Sequence, residues 1–301
     1  MSRDASRYAL PPGPADRARY FIPEHMTALY YSPAYAGLSE PKRRRYNQLA
    51  AVYLNEMFIF FEDVLAEAVL GALEGEPLPA ELAGRLADFR WEEKRHTEMF
   101  LALNEAAAPE LSAEGGFRFM RLPRGARPLL LAAARRPRLF PLFIWLMLIQ
   151  EDRSLYYSRH VLAGKDALEP RFVHAHRVHL ADEAAHVRAD GELLERYWAS
   201  APAWWRRVNA RLLRWVLGEF FTAPRRAGLR VVEAWAMEFP DERPRLGFWL
   251  ATARGLEDNP EFQASLYSRA VVPAAFAGFD RWPELSGLST ELPAYAPEPA
   301  R

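Results

Sequence analysis

An all-α fold is predicted by three features of this 301-residue sequence. Apolar side chains recur at helical spacing over long stretches, proline and glycine gather between those stretches, and no alternating pattern of useful length intervenes. Half of the residues are hydrophobic, so the chain can bury a sizeable core as one large domain with appended segments.

Residues 1–40 are rich in proline, tyrosine and charge without a period, and are expected to lie on the body as an irregular arm. From Pro41 the pattern changes. Residues 43–73 and 80–107 carry helical spacing on either side of the break GEPLPAE, which predicts a helical hairpin. Residues 139–164 and 170–199, separated by a turn around GKDALEP, predict a second. Between the two, PRGARPLLLAAARRPR reads as a short helix inside a crossover connection. The bundle is thus expected over 41–200. Residues 201–301 should add helices over 203–221, 226–238 and 244–256, and one that starts at Asn259, where an asparagine cap precedes Pro260 in the first helical position. The last twenty residues look extended. In APAWWRRVNARLLRWVLGEFF the aromatics are expected to pack on the bundle and the arginines to meet water.

Composition narrows the function. Lysine plus arginine and aspartate plus glutamate number 39 each, so no global basic field attracts nucleic acid or anionic lipid, and the expected ligand is a small molecule. The absence of cysteine excludes disulfides, thiolate metal sites and cysteine nucleophiles, which leaves nitrogen and oxygen as the only metal donors. Prolines occupy the place of a signal-peptide core, and the longest apolar run, Leu139 to Ile149, is too short and proline-broken to span a bilayer. A cytoplasmic protein without a membrane partner is expected.

Each hairpin contains one Glu-x-x-His, Glu93 with His96 and Glu183 with His186. One such match is weak evidence, but two in mirrored places are informative. Three-residue spacing puts carboxylate and imidazole on one helix face, about a turn apart, where both can reach one metal. Each partner helix then needs a further carboxylate. Glu62 sits among Phe58, Ile59, Leu65, Ala66 and Val69, and Glu151 among Ile144, Met147, Leu148 and Leu155, where an ionised group is costly unless paired or metal-bound. Glu62 precedes Glu93 by 31 residues and Glu151 precedes Glu183 by 32, so both pairs fold back to similar height. Glu56, six residues before Glu62, turns away from that face. Four carboxylates and two histidines at one level form the ligand set that ferritin-like bundles use for two metal ions, and this donor set suits iron, with manganese as the alternative.

His179 lies four before Glu183 and seven before His186, so HLADEAAH sets three donors on one stripe. Here the sequence resembles the di-iron p-aminobenzoate N-oxygenases, which add a third histidine to the ferritin-like set. The resemblance covers about residues 50–200. It implies a ferritin-like four-helix bundle with additional C-terminal helices, and a first shell of Glu62, Glu93, His96, Glu151, His179, Glu183 and His186. It also implies two iron ions, O2 and an external electron donor, and oxidation of a small organic substrate at an amine nitrogen.

Asp182 and Glu92, each four residues before a motif histidine, could orient the imidazoles or face water, and Asp190 continues the stripe. His160, His174 and His176 fit supporting or surface roles. Phe58, Phe89, Phe100, Met147 and Leu155 could wall a pocket or simply pack. Carbon hydroxylation, another ferritin-like oxidase chemistry, ferritin-type metal storage and a scaffold of internal ion pairs use the same residue types. A radical subunit of ribonucleotide reductase fits less well, because Phe100 stands where that family carries its radical tyrosine. The large apolar helix surfaces are compatible with a homodimer.

Overall fold

The computed structural model describes residues 4–111, 117–122, 125–222 and 224–295. Among them are twelve α-helices, joined by short 3-10 turns, and one isolated bridge between Tyr20 and Leu168. The fold is an all-α, ferritin-like bundle.

The first hairpin pairs α2 (Glu40–Ile59), which follows the single turn of α1 (Pro33–Ala36), with α4 (Ala80–Ala107). Between α2 and α3 (Glu67–Leu73) the chain stays helical but widens into a π-helical stretch, Phe60–Ala66, so the single helix expected over 43–73 has three parts. The crossover carries α5 (Ala126–Ala134), while Pro123 and Arg124 of the expected segment lie outside the described residues. The second hairpin consists of α6 (Leu142–Ala163) and α7 (Pro170–Tyr197), which pack closely against each other. Glu169 starts α7 by accepting from the backbone N–H groups of Arg171 and Phe172, ahead of Pro170 in the first turn. Across the hairpins α4 packs on α7 and the π segment on α6, completing four helical layers around one axis.

C-terminal elements cover this bundle: α8 (Ala203–Phe220), α9 (Ala227–Glu238), α10 (Leu246–Gly255), α11 (Pro260–Leu266) and α12 (Pro273–Asp280). Asn259 caps α11 as anticipated, its side chain accepting from the Phe262 N–H. Two sequence expectations fail in this region, the second in part, and one helix was not anticipated. The tail is not extended, because Pro283–Thr290 coils into a 3-10 helix that buries Leu285 and Leu288; 296–301 lie outside the described residues. Helix α12 went unanticipated, its eight residues being too few to display a period. On α8 the buried side chains are Asn209, Ala210, Leu213 and Leu217, whereas Trp204 and Trp215 are each 60% exposed. Trp204, Trp215 and Phe220 face outward, whereas Trp205 meets Phe140 and Phe221 meets Phe61 on the bundle.

The arm is wound into 3-10 turns, Ala5–Tyr8, Glu24–Met26 and Ala28–Tyr31, and buries Tyr8, Phe21, Ile22 and Leu29; residues 1–3 lie outside the description. The apolar interior falls into two clusters. One gathers Val64 to Leu73, Leu142 to Ile149 and Leu193 to Trp198, the other Leu49 to Ile59, Met99 to Leu103 and Phe172 to Val178. Between them the four bundle helices hold a polar layer. No helix among the described residues is long and apolar enough to cross a membrane.

Candidate metal centre

All seven residues anticipated from the sequence lie in this layer, and all are buried. They form two groups, each with donor atoms within 4.8 Å of one another: Glu62, His96 and His179 in one, and Glu93, Glu151, Glu183 and His186 in the other. The groups are contiguous. Glu183 Oε1 lies 2.8 Å from His179 Nε2 and 3.6 Å from His96 Nδ1 in the first, and 3.5 Å from His186 Nδ1 in its own. Glu93 Oε1 likewise stands 3.0 Å from His186 Nδ1 and 3.6 Å from His96 Nδ1. Two carboxylates therefore face both groups.

Donor chemistry and hydrogen-bond bookkeeping both fit metal ions. Buried polar atoms are almost always hydrogen-bonded. Here Glu93 Oε1 and Oε2, Glu183 Oε1, His96 Nδ1 and His186 Nδ1 make no hydrogen bond, and all of them converge on the layer. An unmet cluster of carboxylate oxygens and imidazole nitrogens is the arrangement a pair of hard cations satisfies.

The charges compensate only in part. Burial, and then the neighbouring Glu93, push Glu62 up to about 7, and burial with Glu183 and Glu93 raises Glu151 well above the ordinary carboxylate range. Against the cost of burial, His179 and its neighbours hold Glu183 well below that range, and Glu183 with Glu62 raises His179 to about 10. Four acids and three imidazoles thus share protons.

A second ring of contacts orients the first. Asp182 Oδ2 lies 3.1 Å from His96 Nε2 and accepts the Tyr8 hydroxyl at 2.9 Å, while its Oδ1 accepts Arg7 at 2.6 Å. Glu92 Oε2 lies 3.0 Å from His186 Nε2. Each carboxylate favours the tautomer that carries hydrogen on Nε2 and leaves the Nδ1 lone pair facing the layer. His179 is turned the other way, with Nε2 inward and no partner for Nδ1. Ser154 donates to Glu183 Oε2 at 2.9 Å, which leaves Oε1 as the inward atom. Phe89 stacks on the His186 ring at 3.8 Å, and Phe58 and Phe100 meet His179 edge-on at 5.1 Å.

Other side chains resolve differently. Glu56 accepts the backbone N–H groups of Arg118, Phe119 and Met120 at 2.6 to 2.8 Å, so it clips the crossover and stays out of the layer. Arg90 pairs with Glu67 and Glu74 rather than with Glu62, whose cationic neighbour is His179 at 3.3 Å. His176 is buried against Ser158 Oγ, and burial lowers it to about 3, which keeps its ring neutral. Asp190 is buried with neither oxygen hydrogen-bonded, and burial raises it well above the ordinary range.

Sequence periodicity could not reveal the π turn. The Glu67 N–H donates to the carbonyl of Glu62, five residues back, and such bulges inside α-helices gather at functional sites. Arg7 and Tyr8 were equally invisible, since the residue they orient lies more than 170 positions along the chain.

Residues 11–245 match the family described as p-aminobenzoate N-oxygenase AurF. The chain belongs to that family. The match spans more than half of the sequence and reaches beyond the stretch on which the motif resemblance rested, taking in most of the arm, α8 and α9. AurF is an oxygenase family, and the fold and the two Glu-x-x-His motifs agree with membership. A search of curated proteins returned no match to the chain.

Proposed function

We propose that this chain is a di-iron oxygenase that uses O2 to oxidise the amine nitrogen of a small organic molecule. The observation that carries this reading is the buried layer of four glutamates and three histidines, in which inward atoms of Glu93, Glu183, His96 and His186 lack hydrogen bonds. Glu62, His96 and His179 would hold one ion, Glu151 and His186 the other, with Glu93 and Glu183 shared between them. Two bound irons would supply the electrons and the Lewis acidity needed to activate O2. The side chains do the rest.

Asp182 and Glu92 fix the orientation of His96 and His186, so the donor geometry exists before the ions arrive. Phe58, Phe89 and Phe100 exclude water from the imidazoles, which protects a reactive site from side reactions. An external donor would return electrons between turnovers.

Elemental analysis together with rapid mixing tests the reading. Protein loaded with ferrous iron should contain two irons per chain, react with O2, and convert an arylamine to its hydroxylamine or nitro product. Iron-loaded protein that never reacts with O2 would overturn it, and a purely carbon-hydroxylated product would overturn the choice of nitrogen.

A further inference from the structure

A cavity of about 540 Å³ lies on the outer side of the bundle, against both helical segments that carry Glu62 and Glu151. Tyr53 and Met57 of α2, and Phe61 and Leu65 of the π turn around Glu62, form one wall. Leu142, Leu146, Arg153 and Tyr157 of α6 form the facing wall, and α5 and α8 close it from outside. Arg153 follows Glu151 by two residues, about 200° around the helix, so one side chain serves the polar layer and the other the cavity.

Arg153 is out of place among these walls. It is 4% exposed, and arginine keeps its charge in proteins. Its hydrogen-bond partners are all neutral: Gln150 Oε1 at 3.3 Å, the Tyr267 hydroxyl at 3.0 Å and the Tyr157 hydroxyl. Its Nε has no partner, and no carboxylate pairs with it among the described residues. A buried cation without a counter-ion is costly; the Tyr157 and Tyr267 rings, 5.1 and 4.8 Å from the guanidinium, offset part of that cost, and a ligand anion would supply the missing charge. The other arginines that line the cavity, Arg121, Arg225 and Arg226, stand towards the solvent side, and Arg225 is paired with Glu219 and Glu257.

The remaining lining is apolar. At the outer end Leu129 is 75% exposed and Trp215 60%, with Phe220 and Leu212 beside them, so the mouth presents a greasy rim. The inner end holds buried Tyr46, Arg153, Tyr157 and Phe262. The volume exceeds what a single-ring acid fills, and falls within the range of drug-sized ligand pockets.

We propose that this cavity binds an elongated apolar carboxylate, its chain lying between α2 and α6 and its anion paired with the guanidinium of Arg153. The proposal goes beyond the oxygenase reading and does not require it. Binding of the acid stands or falls without it.

The test is calorimetric titration of the full chain, metal-free and iron-loaded, with dodecanoate, methyl dodecanoate and p-aminobenzoate. Dodecanoate should bind about ten-fold or more tightly than the uncharged ester or the single-ring acid. Arg153→Met should remove that preference for the acid while leaving ester affinity within about two-fold, because it takes away the charge and keeps an apolar wall. Equal affinity for acid and ester, p-aminobenzoate binding as tightly as dodecanoate, or an unaltered preference in Arg153→Met would each overturn the proposal. Should Arg153→Met fail to fold, Ala133→Trp fills the cavity from α5; it should abolish dodecanoate binding with metal content unchanged, and retained binding there would overturn the proposal too. Protein that binds the acid but never reacts with O2 refutes the oxygenase reading alone.

Discussion

The two hairpins reach the same layer by different local means. In the second, α6 and α7 run as unbroken α-helices, and Glu151, His179, Glu183 and His186 follow from 3.6-residue periodicity. In the first, Glu93 and His96 follow from the same spacing on α4 but Glu62 sits on a π turn, while support across the hairpins is reciprocal, Asp182 holding His96 and Glu92 holding His186. A regular helix can deliver several donors by spacing alone. An irregular one needs neighbours to define where its donor points.

Metal stoichiometry probes that contrast most strongly. Glu183→Ala removes a carboxylate facing both groups and should drop the chain from two bound metals to fewer than one. Glu151→Ala, which touches only one group, should retain about one ion; elemental analysis of the two variants side by side decides, and two metals retained in either would refute the assignment.

A smaller effect is expected from the supports. Asp182→Asn leaves every proposed ligand in place but weakens the orientation of His96, so metal affinity should fall about 10- to 100-fold in a chelator competition. His179→Ala, by contrast, should alter reactivity with O2 more than metal content, because its ring has no outer support and six donors remain. Equal losses in both would show that outer support makes no difference to how a histidine holds metal.

The smallest change should come from Glu56. Glu56→Gln keeps an acceptor for the crossover amides but loses the charge, so thermal unfolding should report about 1–2 kcal/mol of destabilisation with metal content intact. Loss of metal from this variant, still folded, would place Glu56 rather than Glu62 in the ligand set.

The candidate site was legible from sequence wherever one helix supplied the information. Glu93 with His96 and Glu183 with His186 show because three-residue spacing shares a face, and Glu62 and Glu151 because a charge stands among apolar neighbours. Arg153 escaped notice in the run QEDRSLYY, where adjacent charges resemble a solvated face. Its burial depends on Tyr267, more than a hundred residues away. The outward turn of Trp204 and Trp215 escaped for the same reason, since aromatic composition does not record which face finds a partner.

By itself the sequence determined that the chain is helical, that its helices pair as two hairpins, and that acids and imidazoles recur at one height along them. Those properties follow from the α-helical repeat and the cost of burying charge, both local to a segment. Only the tertiary structure decided which carboxylates face both groups, which tautomer each imidazole favours, where a helix widens into a π turn, and that one arginine faces an apolar cavity. Each depends on atoms brought together from distant parts of the chain, and no periodicity within a single helix encodes them.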